Sequence, residues 1–381
     1  MDKIRLGIIG TGGMGQGHAQ MQENIEETEL TAVCDVDEAL VKQVAEKYGV
    51  PGFTCHEELL DSGLVDAVLI ATPHYFHPPI AIEAMRRGIH VLSEKPIAVT
   101  VKAADEMIRT AQETGVKFAV MFQRRTARSS RLARKAIEEG LVGEVYRTHL
   151  LMSSYRSQAY YDSAAWRGTW TGEGGGVLIN QAPHPIDIFT WLAGMPARVT
   201  AQVRTRRHEI EVEDEAFALL EYPNGAHGYL YVSVNEAPGT SRLEICGDRG
   251  KVVLQGDEVQ VYRLKQPLSE FTVTSDQMWA SPEAELVELE VPEMPPGHAT
   301  ITRNFARAIL YEEPLIAPGE EGIHSLELTN ALILSGKRGK TVELPLDREE
   351  YETLLEELKA SSRPKQRLRE QRATDPNVVG G

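Results

Sequence analysis

The sequence predicts an α/β chain, in which an N-terminal doubly wound parallel sheet is joined to a C-terminal α+β domain with a large, mostly antiparallel sheet. Three observations carry this reading. An apolar run, Ile4 to Ile9, leads directly into Gly10-Thr11-Gly12-Gly13-Met14-Gly15 and then into a helix-like stretch. Strand and helix signals alternate from there to about residue 125, the pattern of repeated βα units. Farther along, strands follow one another with short turns between them, which builds antiparallel sheet.

Taken in order, Leu30 to Cys34 is the second strand and ends at Asp35. Val41 to Tyr48 reads as a helix stopped by Gly49 and Pro51. Ala67-Val68-Leu69-Ile70-Ala71 is apolar without alternation, as expected of a strand buried on both faces of a parallel sheet. A helix over Pro79 to Arg87 stops at Gly88, and the strand Ile89 to Leu92 runs into Ser93-Glu94-Lys95-Pro96. The helix Val101 to Thr114 stops at Gly115 and is followed by the strand Val116 to Met121. Ser129 to Glu139 is still helical.

Strands then dominate, over Val145 to Met152, Arg198 to Thr205, Ala216 to Tyr222, His227 to Val234, Arg242 to Ile245, Val252 to Leu254 and Val259 to Leu264. Pro223-Asn224-Gly225 and Gly247-Asp248-Arg249-Gly250 read as hairpin turns. Helices over Ile301 to Tyr311 and Gly322 to Leu334 are expected to cover this second sheet, with Asp347 to Ala360 closing the fold. The expected division is a first domain over 1–125, a second over 126–360, and a tail over 361–381 that is flexible or orders on a neighbouring subunit.

The 381 residues suffice for two or three domains with sizeable cores. A net charge of −16 argues against a nucleic-acid partner and against an anionic membrane surface. The three cysteines, Cys34, Cys55 and Cys246, lack metal-ligand spacing and suggest no disulfide framework, so no metal is expected and a reducing cytoplasm is. The first apolar run is too short for a signal peptide, and no stretch is long and apolar enough to span a bilayer.

The glycine loop has a chemical reading. Gly10 permits a tight turn, Gly12 lets the backbone approach a pyrophosphate, and Gly15 lets the helix pack on the strand. The free N–H groups and dipole of that helix start favour phosphate. With Asp35 at the end of the next strand, the context is that of a dinucleotide-binding fingerprint. The Asp35 carboxylate can accept hydrogen bonds from ribose hydroxyls and would repel a 2′-phosphate, and Val36 and Asp37 supply no arginine to neutralise one.

Three further clusters join it. They are Ala71-Thr72-Pro73-His74-Tyr75-Phe76-His77, Glu94-Lys95-Pro96, and Gly174-Gly175-Gly176-Val177-Leu178-Ile179-Asn180-Gln181-Ala182-Pro183-His184-Pro185-Ile186-Asp187. With the fold pattern, these residues resemble the Gfo/Idh/MocA oxidoreductase family from the first strand to about Leu344. The resemblance implies a Rossmann first domain, a pyridine nucleotide and a polyhydroxylated substrate, usually a sugar or cyclitol. It also implies assembly as a homodimer or homotetramer through the open face of the second sheet.

Lys95, expected at a strand's carboxyl end, can donate to a reacting hydroxyl and favour its alkoxide, and Pro96 keeps it extended. His184, at the position of the family's catalytic histidine, is the candidate general base. Asn180 departs from the family, which often holds Asp there. An amide offers a donor and an acceptor but cannot relay a proton. On a helix, Asn180 and His184 would share a face, although Pro183 and Pro185 would distort it.

The expected cofactor set is Gly10, Gly12, Gly13, Met14, Gly15, Asp35, Ala71, Thr72, Pro73, His77, Glu94, Lys95 and Gln123, with Trp166 and Arg167 matching the family's pair near the nicotinamide. The expected substrate set is Lys95, Arg124, Tyr155, Arg156, Tyr160, Asn180, His184 and Asp187. For Asp187, a hydrogen bond to His184 and a structural ion pair stand as alternatives; for Arg124 and Arg125, so do a charged substrate and nearby acids.

Three functions are compatible with these residues. The first is NAD-dependent oxidation of a ring hydroxyl of a sugar, glycoside or cyclitol. The second is a redox-neutral glycoside hydrolase running oxidation, elimination, hydration and reduction on the same site. The third is a non-catalytic NAD-binding regulator, which the presence of both Lys95 and His184 opposes. On Asp35, KM for NAD should lie below KM for NADP in steady-state assays; the reverse order would remove Asp35 from cofactor selection.

Overall fold

The computed structural model describes residues 3–365 and 367–369. The first sheet holds β1 (Ile4–Ile9), β2 (Thr28–Cys34), β3 (Gly52–Phe53), β4 (Ala67–Ile70), β5 (His90–Ser93) and β6 (Phe118–Val120). Its order is β3-β2-β1-β4-β5-β6, with every pairing parallel. The order reverses between β1 and β4, which opens a crevice beyond their carboxyl ends, where ligands of such sheets bind.

Local chemistry sets the helices between these strands. The Asp37 side chain caps the helix Glu38–Tyr48 by accepting from Leu40 N, and Gly49 ends it at φ 67°. Thr100 caps Val101–Thr114 in the same way, and Gly115 ends it at φ 72°. Gly15 has no room for a side chain, since a Cβ there would lie 1.8 Å from the Gly10 carbonyl oxygen.

The second sheet holds β7 (Val145–Tyr155), β8 (Arg198–Arg204), β9 (Glu215–Glu221), β10 (His227–Ser233), β11 (Asn235–Gly247), β12 (Gly250–Gln255), β13 (Glu258–Leu264), β14 (Ala284–Leu286) and β15 (Val342–Glu343). Its order is β14-β13-β12-β11-β7-β10-β9-β8-β15, antiparallel except for the β7–β10 pair. The helices Arg128–Glu138, Pro183–Ala193 and Gly319–Arg338 lie against it. On β9 and β10, Phe217, Leu219 and Tyr229 are exposed, and Leu219 stands directly opposite Tyr229.

The helix Gly319–Arg338 joins the two halves. A Cβ at Gly319 would meet Phe118 at 2.2 Å, and one at Gly336 would meet Val203 at 2.8 Å, so the helix seats closely on both sheets. In its middle, the buried Asn330 donates to Val99 O at 3.1 Å and accepts from Val101 N at 3.1 Å, which holds the segment just after Lys95.

Four expectations are corrected. The helix predicted over Ile301 to Tyr311 runs His298–Tyr311 and packs its Ile301, Phe305 and Ala306 against Ile4, Leu6 and Ile8 of the first sheet, not the second. The periodicity located the helix, but only tertiary packing chose its partner. Pro183 and Pro185 do not distort a helix; they open Pro183–Ala193, where first-turn N–H groups have no intrahelical partner to lose. Asn180 and His184 therefore sit on two helices, Val177–Asn180 and Pro183–Ala193, rather than on one face.

Asp187 is the fourth correction, because its carboxylate bonds to Arg125 and forms no hydrogen bond to His184. It is 1% exposed and accepts from Arg125 at 2.9 and 2.7 Å, so of the two alternatives it takes the ion pair. Burial pushes its carboxyl upward, and the forked guanidinium opposes that shift. The described part of the tail lies on its own chain: Lys365 Nζ reaches Ala164 O at 3.0 Å, and Arg369 N reaches Asp162 O at 2.8 Å. Residues 370–381 lie outside the described residues.

Replacing Asp187 by Ala would strand a buried guanidinium with only Glu321 as an acidic partner among the described residues. The expected loss is about 3 kcal/mol of stability, measured by chemical denaturation; a loss within experimental error would show that Glu321 alone compensates Arg125.

Candidate active site

Four strand ends bring the cofactor candidates to one crevice. The loop Gly10–Gly15 follows β1, Ala71-Thr72-Pro73 follows β4, Glu94-Lys95 follows β5 and Gln123 follows β6. Thr11 donates to Asp35 Oδ2 from its N–H at 2.7 Å and its hydroxyl at 3.1 Å, while Asp37 N donates to Oδ1 at 3.0 Å. These bonds orient the Asp35 carboxylate and leave one lone pair, on Oδ1, for a ribose hydroxyl.

The residues present fit a dinucleotide. A Cβ built on Gly12 would meet nothing within 4 Å, so the loop leaves an open cradle there, in which Gly13 and Met14 are also partly accessible. Thr72 Oγ1 and Gln123 Oε1 are enclosed without a hydrogen-bond partner, as are Arg167 Nε and His184 Nδ1. Buried polar atoms are normally partnered, and unmet groups after β4 and β6 fit a ligand bound at these strand ends.

Two members of the expected cofactor set have other work. His77 is fully buried with its ring nitrogens 2.8 Å from Thr72 O and Pro96 O, so it ties two motif loops together instead of facing a ligand. Glu94 is buried, bonded to His18 Nε2 at 2.8 Å and to the Lys95 N–H at 3.1 Å. Burial works to raise its carboxyl, but the His18 bond and charge hold it at about 2. His298 lies edge-on to His18, ring centroids 5.5 Å apart, and burial pushes it down to about 4.

Lys95 Nζ donates to the Asn180 backbone carbonyl at 3.0 Å, which spans the crevice between β5 and the Gly-Gly segment. Burial pushes its ammonium below the ordinary lysine range, opposed by Glu94 and Glu173. His184, the second residue of its helix, lies edge-on to Phe122 at 6.1 Å. Burial drives its imidazole well below the ordinary range, and the charges of Lys95 and Arg124 add to that. It is therefore a neutral ring, able to accept a proton. Arg124 is exposed and forms no ion pair among the described residues, while its neighbour Arg125 takes Asp187.

The aromatic segment converges on one oxygen. Tyr160 OH lies within hydrogen-bonding distance of Arg167 Nη1 at 2.5 Å, Asn180 Nδ2 at 3.0 Å and Gln181 Nε2 at 3.2 Å. The Arg167 guanidinium stacks between Trp166 and Tyr160, 4.5 and 4.4 Å from the ring centroids. Arg156 stands over Tyr160 at 5.5 Å. Tyr155 ends β7, half-exposed, and contributes to the cluster only its backbone oxygen, which accepts from Arg156.

Three residues of this site escaped the sequence reading. Gln181 falls inside the Gly-Gly motif, where its type and spacing do not single it out. His74 is buried, its Nδ1 3.2 Å from Glu173 O and its ring edge-on to Trp166 at 5.6 Å. Glu173 is 1% exposed and accepts from the Asn180 amide and the Gly168 N–H. Its signal was available, as an acid set directly before three glycines.

Comparison with known proteins agrees with this geometry. A family model described as an oxidoreductase family with an NAD-binding Rossmann fold matches residues 4–122, and the GFO/IDH/MocA C-terminal domain model matches residues 130–253. The chain is 26% identical over 367 residues to the D-glucoside 3-dehydrogenase of Escherichia coli K12, covering 90% of this chain and 97% of that one. It is 27% identical over 274 residues to a 2,7-anhydro-N-acetylneuraminate hydratase of Mediterraneibacter gnavus, covering 68% and 72%. The WlbA dehydrogenase of Bordetella pertussis, solved with NADH and UDP-GlcNAcA, superposes with a TM-score of 0.78 at 30% identity, covering 91% of this chain and 100% of that one. The sheet order, the crevice and these matches together make the chain a member of the Gfo/Idh/MocA family of NAD-binding oxidoreductases.

Proposed function

We propose that this chain oxidises a ring hydroxyl of a sugar, glycoside or cyclitol, with Lys95 and His184 as its catalytic residues. One observation carries the reading: a lysine ammonium held on the Asn180 carbonyl shares the crevice with a neutral imidazole whose ring nitrogens bond to no other described residue. Bound NAD would supply the hydride acceptor, held by Gly12, Asp35, Thr72 and Gln123. His184 takes the hydroxyl proton. Lys95 donates to the same oxygen and stabilises the negative charge that develops on it. Asn180 and Arg124 offer polar contacts to the sugar's hydroxyls.

The redox-neutral alternative, glycoside cleavage with transient oxidation, uses the same residues. The hydratase among the relatives favours keeping it in view. A screen of nitrophenyl and methyl glycosides, free sugars and inositols with NAD separates the two. NADH without nitrophenol means a dehydrogenase, and nitrophenol without net NADH means cleavage; silence in both channels would sink both.

Two further inferences accompany this. The three free cysteines fit the reducing cytoplasm. None of the described helices is long and apolar enough to cross a membrane. The exposed Phe217, Leu219 and Tyr229 mark the face through which copies of the chain associate. Light scattering should show a dimer or tetramer that Leu219→Glu weakens; a monomeric wild type would overturn this.

In the substrate found by the screen, His184→Ala should lower kcat by about 10²–10⁴-fold. Because burial and two cations depress the His184 pKa, kcat should hold as pH falls through 6.5 and drop only below it. The lowered Lys95 pKa should bring the alkaline limb in below pH 10.5. Full activity of His184→Ala would remove it from the mechanism.

A further inference from the structure

We propose that Glu173 is a positioning residue that pins the Asn180 amide, so that Asn180 Oδ1 is presented to a substrate hydroxyl neighbouring the one that reacts. This rests on the dehydrogenase reading above.

Asn180 has two N–H donors and one side-chain acceptor. Both donors are spent, one on Tyr160 OH at 3.0 Å and one on Glu173 Oε1. Its backbone carbonyl is spent on Lys95 Nζ. Oδ1 is what remains: it has no partner among the described residues and is absent from the atoms enclosed without one. An amide can turn over and exchange its oxygen and nitrogen. A carboxylate that only accepts forbids this, because the turned amide would set Oδ1 against Glu173 Oε1. Glu173 is itself fixed by the Gly168 N–H on its other oxygen and by burial, and a buried carboxylate cannot be left without donors. Tyr160 alone could not choose the orientation, since a hydroxyl both donates and accepts. The carboxylate that the sequence lacks at position 180 is thus present beside it. It moves no substrate proton; it decides which way the amide faces.

The restraint depends on ionisation. Burial raises the Glu173 carboxyl to about 7; the Gly168 N–H, Arg167 and Asn180 pull it down, and the buried Glu213 pushes it up. Lys95 and Lys365 are the other cations whose charge it feels. Tyr160 and Tyr161 feel its charge as neutral phenols, and His74, bonded to its backbone oxygen, is held neutral by burial. Above about pH 7 Glu173 is ionised and the amide is pinned. Below that, a protonated carboxyl can donate to Oδ1, and the turned amide becomes acceptable. The expected signature is a substrate KM that rises as pH falls through about 7, separate from the lower-lying His184 limb in kcat.

The test compares wild type, Glu173→Gln, Asn180→Ala and the double variant, each loaded with NAD. The probe is methyl β-D-glucopyranoside with its monodeoxy analogues, or the glycoside that heads the screen. Glu173→Gln should raise KM, and Kd by calorimetry, roughly tenfold at pH 8. Its kcat should stay within about twofold, as for loss of uniform binding. The pH dependence of KM near 7 should vanish. The double variant should match Asn180→Ala, because Glu173 acts through that amide. One deoxy analogue should bind both proteins equally. Infrared difference spectra of wild type minus Glu173→Gln, without substrate, should show a carboxyl band titrating near pH 7. Multiplying effects in the double variant, an intact KM limb in Asn180→Ala, or a fall in kcat and thermal stability without change in KM would overturn the proposal. Failure of every sugar to reduce NAD would strike the dehydrogenase reading instead, and the infrared titration would still decide whether Glu173 ionises as required.

Discussion

The buried Arg125–Asp187 pair is the contact on which the site's geometry depends. Arg125 belongs to the segment just after β6, beside Gln123 and Arg124; Asp187 lies one turn beyond His184. Two forked hydrogen bonds at 2.9 and 2.7 Å thus register the helix carrying the candidate base against the sheet carrying the cofactor crevice. A hydrophobic contact could join these elements, but it would tolerate sliding. A desolvated guanidinium does not, since displacement costs the charge its partners. Arg125 also donates to Ile316 O and Glu321, and its guanidinium faces the Trp191 ring at 5.2 Å, so the joint is held from several sides.

A second constraint is electrostatic. The chain carries a net charge of −16, yet its crevice gathers Lys95, Arg124 and Arg167. Burial, with Lys95 and Arg124, holds the His184 pKa well below the ordinary imidazole range. The acids nearby are arranged not to cancel the field indiscriminately: Glu94 is committed to His18, and Glu173 to Asn180. Under the proposed reaction, a neutral imidazole shares the crevice with an ammonium that Glu94 and Glu173 support against burial.

Much of this was legible in one dimension. Strands with uninterrupted apolar runs, such as Ala67 to Ile70, announce burial on both faces, and glycines at 10, 12 and 15 announce a close backbone approach. Helix ends at Gly49 and Gly115 could be read because only a residue tolerant of positive φ closes such turns cheaply. Short strands such as β3 and β15, with two residues each, leave no periodicity to detect. They exist because a neighbouring edge offers hydrogen bonds.

The amino-acid sequence by itself determined the order of the βα units, the glycine cradle, the acid at the end of β2, and the identity of Lys95 and His184 as candidates. Each is a local matter of side-chain type, spacing and backbone tolerance. The tertiary structure alone decided which partners these residues meet. It sent the helix His298–Tyr311 to the first sheet, gave Asp187 to Arg125, closed His77 between two carbonyls, and set Glu173 against Asn180. Those choices turn on desolvation and on the pairing of buried polar groups, which exist only once distant segments have come together.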